Sequence, residues 1–147
     1  MPANTAPIYS ALADVQVGGS ILGPTAVTAQ DGTGSLVQIF QAGANGSFVD
    51  SIILKAAGSP AASVARVFFC SATGAFTSGT TNTAANTACV AEASLAAVTL
   101  SQTAASNDVV IPIRRAIPAN TKLLIGFGTS TGAAGTGYSV VTFGGDY

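Results

Sequence analysis

Residues 48–55 read Phe48-Val49-Asp50-Ser51-Ile52-Ile53-Leu54-Lys55, and residues 64–70 read Val64-Ala65-Arg66-Val67-Phe68-Phe69-Cys70. Both stretches are rich in β-branched and aromatic side chains, which favour extended strands. A turn signal precedes each one, because Gly43-Ala44-Asn45-Gly46 comes before the first and Gly58-Ser59-Pro60 before the second. The sequence therefore predicts two consecutive β-strands in this region.

The same pattern recurs along the rest of the chain. Further strands are predicted at 36–40, 90–95, 108–113, 122–127 and 138–143, with a weaker candidate at 14–17. About eight short strands separated by turn signals are typical of a sandwich or a barrel. We therefore predict an all-β, single-domain antiparallel β-sandwich, jelly-roll-like, over residues 1–147, in which residues 1–12 form an N-terminal arm.

Two segments have a specific local alternative. Residues 87–98 are predicted as a strand, but their many alanines make a helix the competing prediction, because alanine is the best helix former. Pro112 interrupts the stretch Val109-Val110-Ile111-Pro112-Ile113. Since proline has no N–H to donate to a ladder, we expect that strand at a sheet edge or beside a bulge.

Charge is scarce, and its scarcity excludes several classes of protein. Only 7% of the residues are charged, the net charge is −1, and 48% of the residues are hydrophobic. Disordered chains show the opposite balance. The five basic residues are too few and too scattered to form a nucleic-acid-binding face. The apolar runs are far shorter than the roughly 20 residues that span a bilayer. We expect neither a nucleic-acid nor a membrane partner.

No motif of an enzyme or of a metal site is present. The chain has no histidine, which is the commonest general base and a common metal ligand. It also lacks a P-loop, a GxSxG motif and a dinucleotide fingerprint. The segment Asp31-Gly32-Thr33-Gly34 looks like half a calcium loop, but it lacks the further acidic positions and is predicted as a turn. We expect no catalytic residue, no cofactor and no metal, hence a protein that is not an enzyme.

The predicted strands carry apolar residues on both faces. Strict alternation divides the first stretch into Phe48, Asp50, Ile52 and Leu54 against Val49, Ser51, Ile53 and Lys55. A monomeric sandwich shows one clearly polar face, so we predict that other subunits cover the outer faces. The alternative is that an Ala-rich, weakly polar surface is simply tolerated. The candidate interface residues are Arg66, Phe68, Arg114 and Arg115. For the arginine pair, a solvated edge beside Pro112 is the simpler alternative.

Two cysteines flank a low-complexity segment. Cys70 and Cys89 lie on either side of residues 71–88, which are mostly Ala, Thr, Ser, Gly and Asn. If the flanking strands are neighbours, the pair is a candidate disulfide at the base of the loop, and two small buried thiols are the alternative. Residues 71–88 and the similar segment 129–137 are predicted as long surface loops, mobile unless a neighbour covers them.

Several segments carry a resemblance to a known class of protein. These are residues 31–34 (Asp-Gly-Thr-Gly), 40–52, 117–123 and the ending Gly144-Gly145-Asp146-Tyr147. They resemble small virion-associated proteins of tailed bacteriophages, in particular capsid decoration (cement) proteins. The resemblance implies a β-rich and often trimeric protein that binds the major capsid protein at local three-fold axes. It defines no functional residue.

The leading hypothesis is therefore a non-enzymatic phage structural protein that stabilises the capsid. The N-terminus has no signal-peptide pattern, so we expect synthesis in the host cytoplasm and location in the virion, as a homo-oligomer with a trimer favoured. Contacts are expected from residues 1–9, 71–88 and 129–137. The alternatives are a tail, neck or fibre component, or a receptor- or carbohydrate-binding β-sandwich, although the chain has no Trp and only three Tyr.

Overall fold

The computed structural model of the chain describes residues 12–19 and 21–147. Within them it contains eight β-strands and no helix, which confirms the all-β prediction and rejects the helical alternative for residues 87–98. No helix among these residues is therefore long and apolar enough to cross a membrane. The strands are β1 (Leu12–Val17), β2 (Val37–Gln41), β3 (Ser47–Ala57), β4 (Ser63–Cys70), β5 (Thr87–Leu95), β6 (Val109–Ile117), β7 (Lys122–Phe127) and β8 (Gly137–Asp146).

The strands form two four-stranded antiparallel sheets. Sheet A has the order β1-β8-β3-β6, and sheet B has the order β2-β7-β4-β5. This eight-stranded, double-sheet order is jelly-roll connectivity, as the sequence predicted. The predicted N-terminal arm, residues 1–12, lies outside the described residues except for Leu12, which begins β1.

The inner faces of the two sheets form the main core. Ile52 and Leu54 of sheet A, and Val67 and Ile125 of sheet B, are completely buried in one apolar cluster. Burying such a side chain stabilises the fold by roughly 1.5–3 kcal/mol relative to leaving it in water. The rings of Phe127 and Tyr138 stack with their centroids 5.9 Å apart and so join the two sheets. The core is thus built by the alternating apolar residues that predicted the strands.

A bulge in β3 changes which residues of that strand face the core. The pairing of β3 with both neighbours shifts between Val49 and Ser51, so Asp50 is an extra residue in the ladder to β8. Val49 is buried with Ile52 and Leu54, whereas strict alternation placed it with Ile53 and Lys55. That part of the sequence prediction is wrong, because one inserted residue reverses the phase of the faces.

Pro112 lies on β6, which is an edge strand of sheet A. It pairs with Ser51, next to the register shift between β3 and β6. The prediction that Pro112 occupies an edge or a bulge is therefore confirmed on both counts. The missing N–H of Pro112 and the irregular ladder both discourage another strand from pairing with this edge.

The outer face of sheet B is covered by the chain itself. Leu36 packs so closely over Gly126 that a Cβ on that glycine would lie 2.6 Å from a Leu36 methyl group. Phe68 is fully buried in a second apolar cluster, which lies on this outer face. The sequence predicts Phe68 as an interface residue. In the structure, segments of the same chain cover this side chain in place of a partner. The cluster consists of Val27, Leu36, Phe68, Cys70 and Leu124, flanked by Ala72 and Phe76.

Buried polar side chains fasten the low-complexity loop between β4 and β5. The Asn82 Nδ2 atom donates to the Gly32 and Gly34 carbonyls at 2.8 and 3.0 Å, and the Gly79 N–H donates to Asn82 Oδ1 at 2.9 Å. At the start of the loop, the buried Lys122 ammonium donates to the Ala72 carbonyl at 2.7 Å. The sequence predicts that this loop is mobile unless a neighbour covers it. In the structure that neighbour is the protein's own surface.

We expect Asn82→Ala to lower the free energy of unfolding by about 1–3 kcal/mol, because it removes the partners of two carbonyls and one N–H. Urea unfolding followed by circular dichroism measures the change. The exposed Asn107 provides the matched control, and Asn107→Ala should stay within about 0.5 kcal/mol of the parent chain. Equal stabilities of the two variants would show that Asn82 does not hold the loop.

Candidate interaction surface

The outer face of sheet A is exposed and apolar. We define it by the side chains that point away from the core on the four strands. Val15 and Val17 of β1 are 54% and 63% exposed, Val110 of β6 is 55% exposed and Phe143 of β8 is 37% exposed. Ile53 and Val141 are half-buried between them. The apolar part of this face, with one serine, consists of Val15, Val17, Phe48, Ser51, Ile53, Val110, Pro112, Val141 and Phe143.

The strand register joins these side chains into two rows. One row runs Val17–Val141–Ile53–Val110 across all four strands, and the next runs Val15–Phe143–Ser51–Pro112. With a strand spacing of about 4.8 Å, each row is about 14 Å wide. Ser51 is the single polar side chain in the two rows. Contiguous exposed apolar patches often mark interaction sites, and this patch makes the outer face of sheet A a candidate surface of that kind.

Charges lie only at the ends of this face. At one end Lys55 forms an ion pair with Asp108 at 2.8 Å. At the other end is the exposed Asp50, which accepts a hydrogen bond from Ser51 Oγ. The exposed pair Arg114 and Arg115 follows on the edge strand β6, where Arg115 pairs with the core-facing Val49 and so lies towards sheet B. The centre therefore offers dispersion contacts and little else, and any charge recognition must occur at the ends.

Of the candidate interface arginines, Arg66 is used inside the chain. Its Nε lies 2.7 Å from Glu92 Oε1, directly across the β4–β5 ladder, and its side chain is only 13% exposed. Arg114 and Arg115 project instead from the edge strand β6. Arg114 has a φ of 48°, a left-handed conformation that is unfavourable by roughly 1–2 kcal/mol for a residue other than glycine. Arg114 and Arg115 are thus exposed at an irregular edge of the sheet. This position agrees with the alternative prediction of a solvated edge beside Pro112.

The two cysteines are close in the ladder but are not bonded. Cys70 pairs with Thr87, and Cys89 pairs with Phe68, so the cysteines occupy diagonal positions. Diagonal Cα atoms lie about 7–8 Å apart, whereas a disulfide needs them within about 7 Å. The structure contains a buried free thiol at Cys70 and an exposed one at Cys89, in place of the candidate disulfide.

The carboxylates serve local structure. Of the six, Glu92 and Asp108 form ion pairs, and the other four accept hydrogen bonds from nearby side chains or backbone. The Thr33 hydroxyl and then its N–H bind Asp31 and lower the pKa of that carboxyl, so residues 31–34 form a turn, as predicted. No group of three or more His, Cys, Asp and Glu residues gathers in the part of the chain that the structure describes.

Two clefts of the molecule are lined without any charged side chain. A cleft of about 400 Å³ lies between residues 96–99 and 104–107, with Tyr138 in its wall. The Tyr138 hydroxyl makes one long contact, 3.5 Å to the Ala96 carbonyl, and burial raises the pKa of Tyr138. A second cleft of about 200 Å³ lies beside Pro24 and Phe127. Neither cleft brings together an acid, a base and a nucleophile.

Comparison of the chain with family models, with curated proteins and with solved structures finds no match. The surface described above is consequently the feature from which a function can be inferred.

We expect one thiol of the folded chain, Cys89, to react with a maleimide, and Cys70 to react only after denaturation. Burial, and then the charge of Glu92, raises the pKa of Cys89, so the thiolate is scarce at neutral pH and the reaction should accelerate as the pH rises towards 9. Mass spectrometry of the labelled chain measures this. Cys89→Ser should abolish native labelling and Cys70→Ser should preserve it, whereas labelling of both cysteines in the folded chain would contradict the burial of Cys70.

Proposed function

We propose that this chain is a non-enzymatic virion structural protein that decorates and stabilises a bacteriophage capsid by binding the major capsid protein. The observation that carries the proposal is the exposed apolar outer face of sheet A on a fold that covers the corresponding face of sheet B with its own loops. Jelly rolls are common in virus particles. The segments that resemble phage virion proteins, among them Gly144-Gly145-Asp146-Tyr147, support the same conclusion.

Mechanistically, each copy bridges neighbouring capsid subunits by burying the outer face of sheet A. One such contact is modest in area, but a capsid presents many equivalent sites, and bound copies stabilise the assembled shell over the disassembled one by mass action. The low charge suits this role, because few ionic groups lose hydration when the face is buried. The protein acts as a homo-oligomer, with a trimer favoured, in a virion assembled in the host cytoplasm.

Not all of the predicted contact segments are equally available. Residues 71–88 are largely engaged with the chain's own surface, as the Asn82 contacts show. Residues 129–137 present four consecutive exposed positions, 132–135. Residues 1–9 lie outside the described residues. We therefore assign shell contacts chiefly to the outer face of sheet A and to residues 132–135.

The second candidate function is a tail, neck or fibre component, or a receptor- or carbohydrate-binding module. Jelly rolls also serve as lectins. Sugar sites commonly use exposed aromatic side chains as platforms. On the outer face of sheet A, Phe143 is the one exposed aromatic side chain, and its exposed fraction is only 37%. Tyr138 is buried. The exposed groups thus favour a protein surface over a sugar as the ligand, and the position of the gene among head or tail genes would separate capsid from tail placement.

For the capsid role, we expect that particles lacking this protein release DNA at a lower temperature than the parent particles, and that added protein restores their resistance. The double variant Val17→Asp/Val110→Asp should bind such particles at least tenfold more weakly, because it places a charge at each end of the apolar row Val17–Val141–Ile53–Val110. Leu100→Asp, at a 37% exposed leucine outside this face, is the matched control. Equal binding by both variants, or binding to tails alone, would contradict the capsid role of this face.

For self-association, light scattering of the purified chain at high micromolar concentration should give more than the monomer mass of 14.3 kDa. A mass close to three chains is expected. If the outer face of sheet A also forms subunit contacts, Val17→Asp/Val110→Asp should shift the protein towards monomer while Leu100→Asp does not. A parent chain that stays monomeric would contradict the proposed trimer.

A further inference from the structure

We propose that the bulge at Arg114 and Arg115 is a binding site for a carboxylate-bearing segment of a partner polypeptide. The proposal deepens the proposed function, since it names the chemistry of the partner: an apolar surface with an acidic residue at the border that meets β6. Four observations support it, namely the distribution of charge, the backbone at Arg114, a cleft beside Arg115, and the continuity of both with the outer face of sheet A.

Among the residues that the structure describes, the distribution of charge leaves this pair without an ion-pair partner. Of the five basic residues, Lys55 and Arg66 form ion pairs, and Lys122 is buried against two carbonyls. All six carboxylates of the sequence lie among the described residues, and none of them forms an ion pair with Arg114 or Arg115. Asp50 lies at the register shift of β3 opposite this part of β6, without a ladder partner of its own, and it accepts its hydrogen bond from Ser51. The two cations thus remain available to a partner.

The backbone holds Arg114 in a conformation that its side chain does not favour. Only Arg114 and Asn120 combine a side chain with a positive φ in the part of the chain that the structure describes. Asparagine adopts this region comparatively readily in turns. Arginine does not, and glycine at position 114 would relieve the strain. Strain that a sequence retains with a charged side chain at an exposed edge points to a use for that side chain.

A small cleft lies beside Arg115. It has a volume of about 80 Å³ and is formed between the edges of the two sheets by Phe69, Val90, Pro112, Ile113 and Arg115. The surface exposed in this cleft is mostly polar, and Arg115 is its one charged residue. An Asp or Glu side chain matches this polar wall, because its carboxylate accepts two parallel hydrogen bonds from the planar guanidinium of Arg115.

The site is continuous with the outer face of sheet A. Pro112 lines the cleft and also ends the row Val15–Phe143–Ser51–Pro112. A partner that covers the apolar rows therefore reaches the arginines at the border of its contact. The centre of such an interface supplies contact area, and the charged border fixes orientation and accelerates association.

The direct test uses the purified full chain and two end-blocked peptides, hexaglutamate and hexaglutamine, in an amide NMR titration. Hexaglutamate should shift resonances of residues 112–116 and of Phe69 and Val90, and raising NaCl from about 20 to about 300 mM should weaken this binding severalfold. Hexaglutamine should leave the same resonances unshifted. Equal effects of the two peptides, or hexaglutamate shifts centred on Lys55 or Arg66, would overturn the proposal.

Four variants assign the effect to named groups. Arg115→Gln and Arg114→Gly should each weaken hexaglutamate binding about tenfold, the loss expected for one charge-assisted hydrogen-bonded pair. Arg114→Gly should also keep or raise the melting temperature, because glycine tolerates the positive φ, and a merely structural arginine would not combine unchanged stability with lost binding. Asp50→Asn should tighten binding by removing a nearby negative charge. Lys55→Gln, which removes a paired cation elsewhere, is the control and should bind as the parent does.

The same variants separate this inference from the proposed function. If Arg114→Gly and Arg115→Gln restore heat resistance to depleted particles as well as the parent chain does, the carboxylate site is wrong and the capsid role stands. If the parent chain binds hexaglutamate through residues 112–116 but does not bind particles, the site stands and the capsid role is wrong.

Discussion

The extra residue that Asp50 adds to β3 is the constraint on which the layout of sheet A depends. β3 is a central strand, and its ladders to β8 and β6 both shift between Val49 and Ser51. Because side chains alternate with a period of two, the insertion puts Val49 in phase with Ile52, and Ile53 in phase with the outer face. Val49 therefore completes the core on one side of β3, and Ile53 completes an apolar row on the other side.

The same irregularity shapes the edge of the sheet. Opposite the bulge, β6 holds Arg114 in a left-handed conformation and brings Pro112 next to the register shift. An edge with a proline, a bulge and two cations is a poor template for another strand. The β6 edge is therefore not expected to extend sheet A by pairing with a strand of a partner.

The two sheets differ in how the chain treats their outer faces. On sheet B, Leu36 and the loop fastened by Asn82 enclose Phe68 and make a second small core. On sheet A, no described segment covers Val17 or Val110. One side of the molecule is thus covered by its own chain, and the other side exposes apolar surface to water. Burial of that surface by another protein is the favourable step that the proposed role uses.

The sequence by itself determined the strands and the jelly-roll class, because turn residues and a period of two are local properties that survive without knowledge of neighbours. It also placed Pro112 at an irregular edge and recognised the arginine pair as exposed there. Only the tertiary structure decided that Phe68 is buried and that Cys70 and Cys89 are diagonal, and only it decided which side of β3 faces the core. These outcomes depend on register, on one inserted residue and on loops that return from distant positions, and a periodic pattern within a single strand carries no information about them.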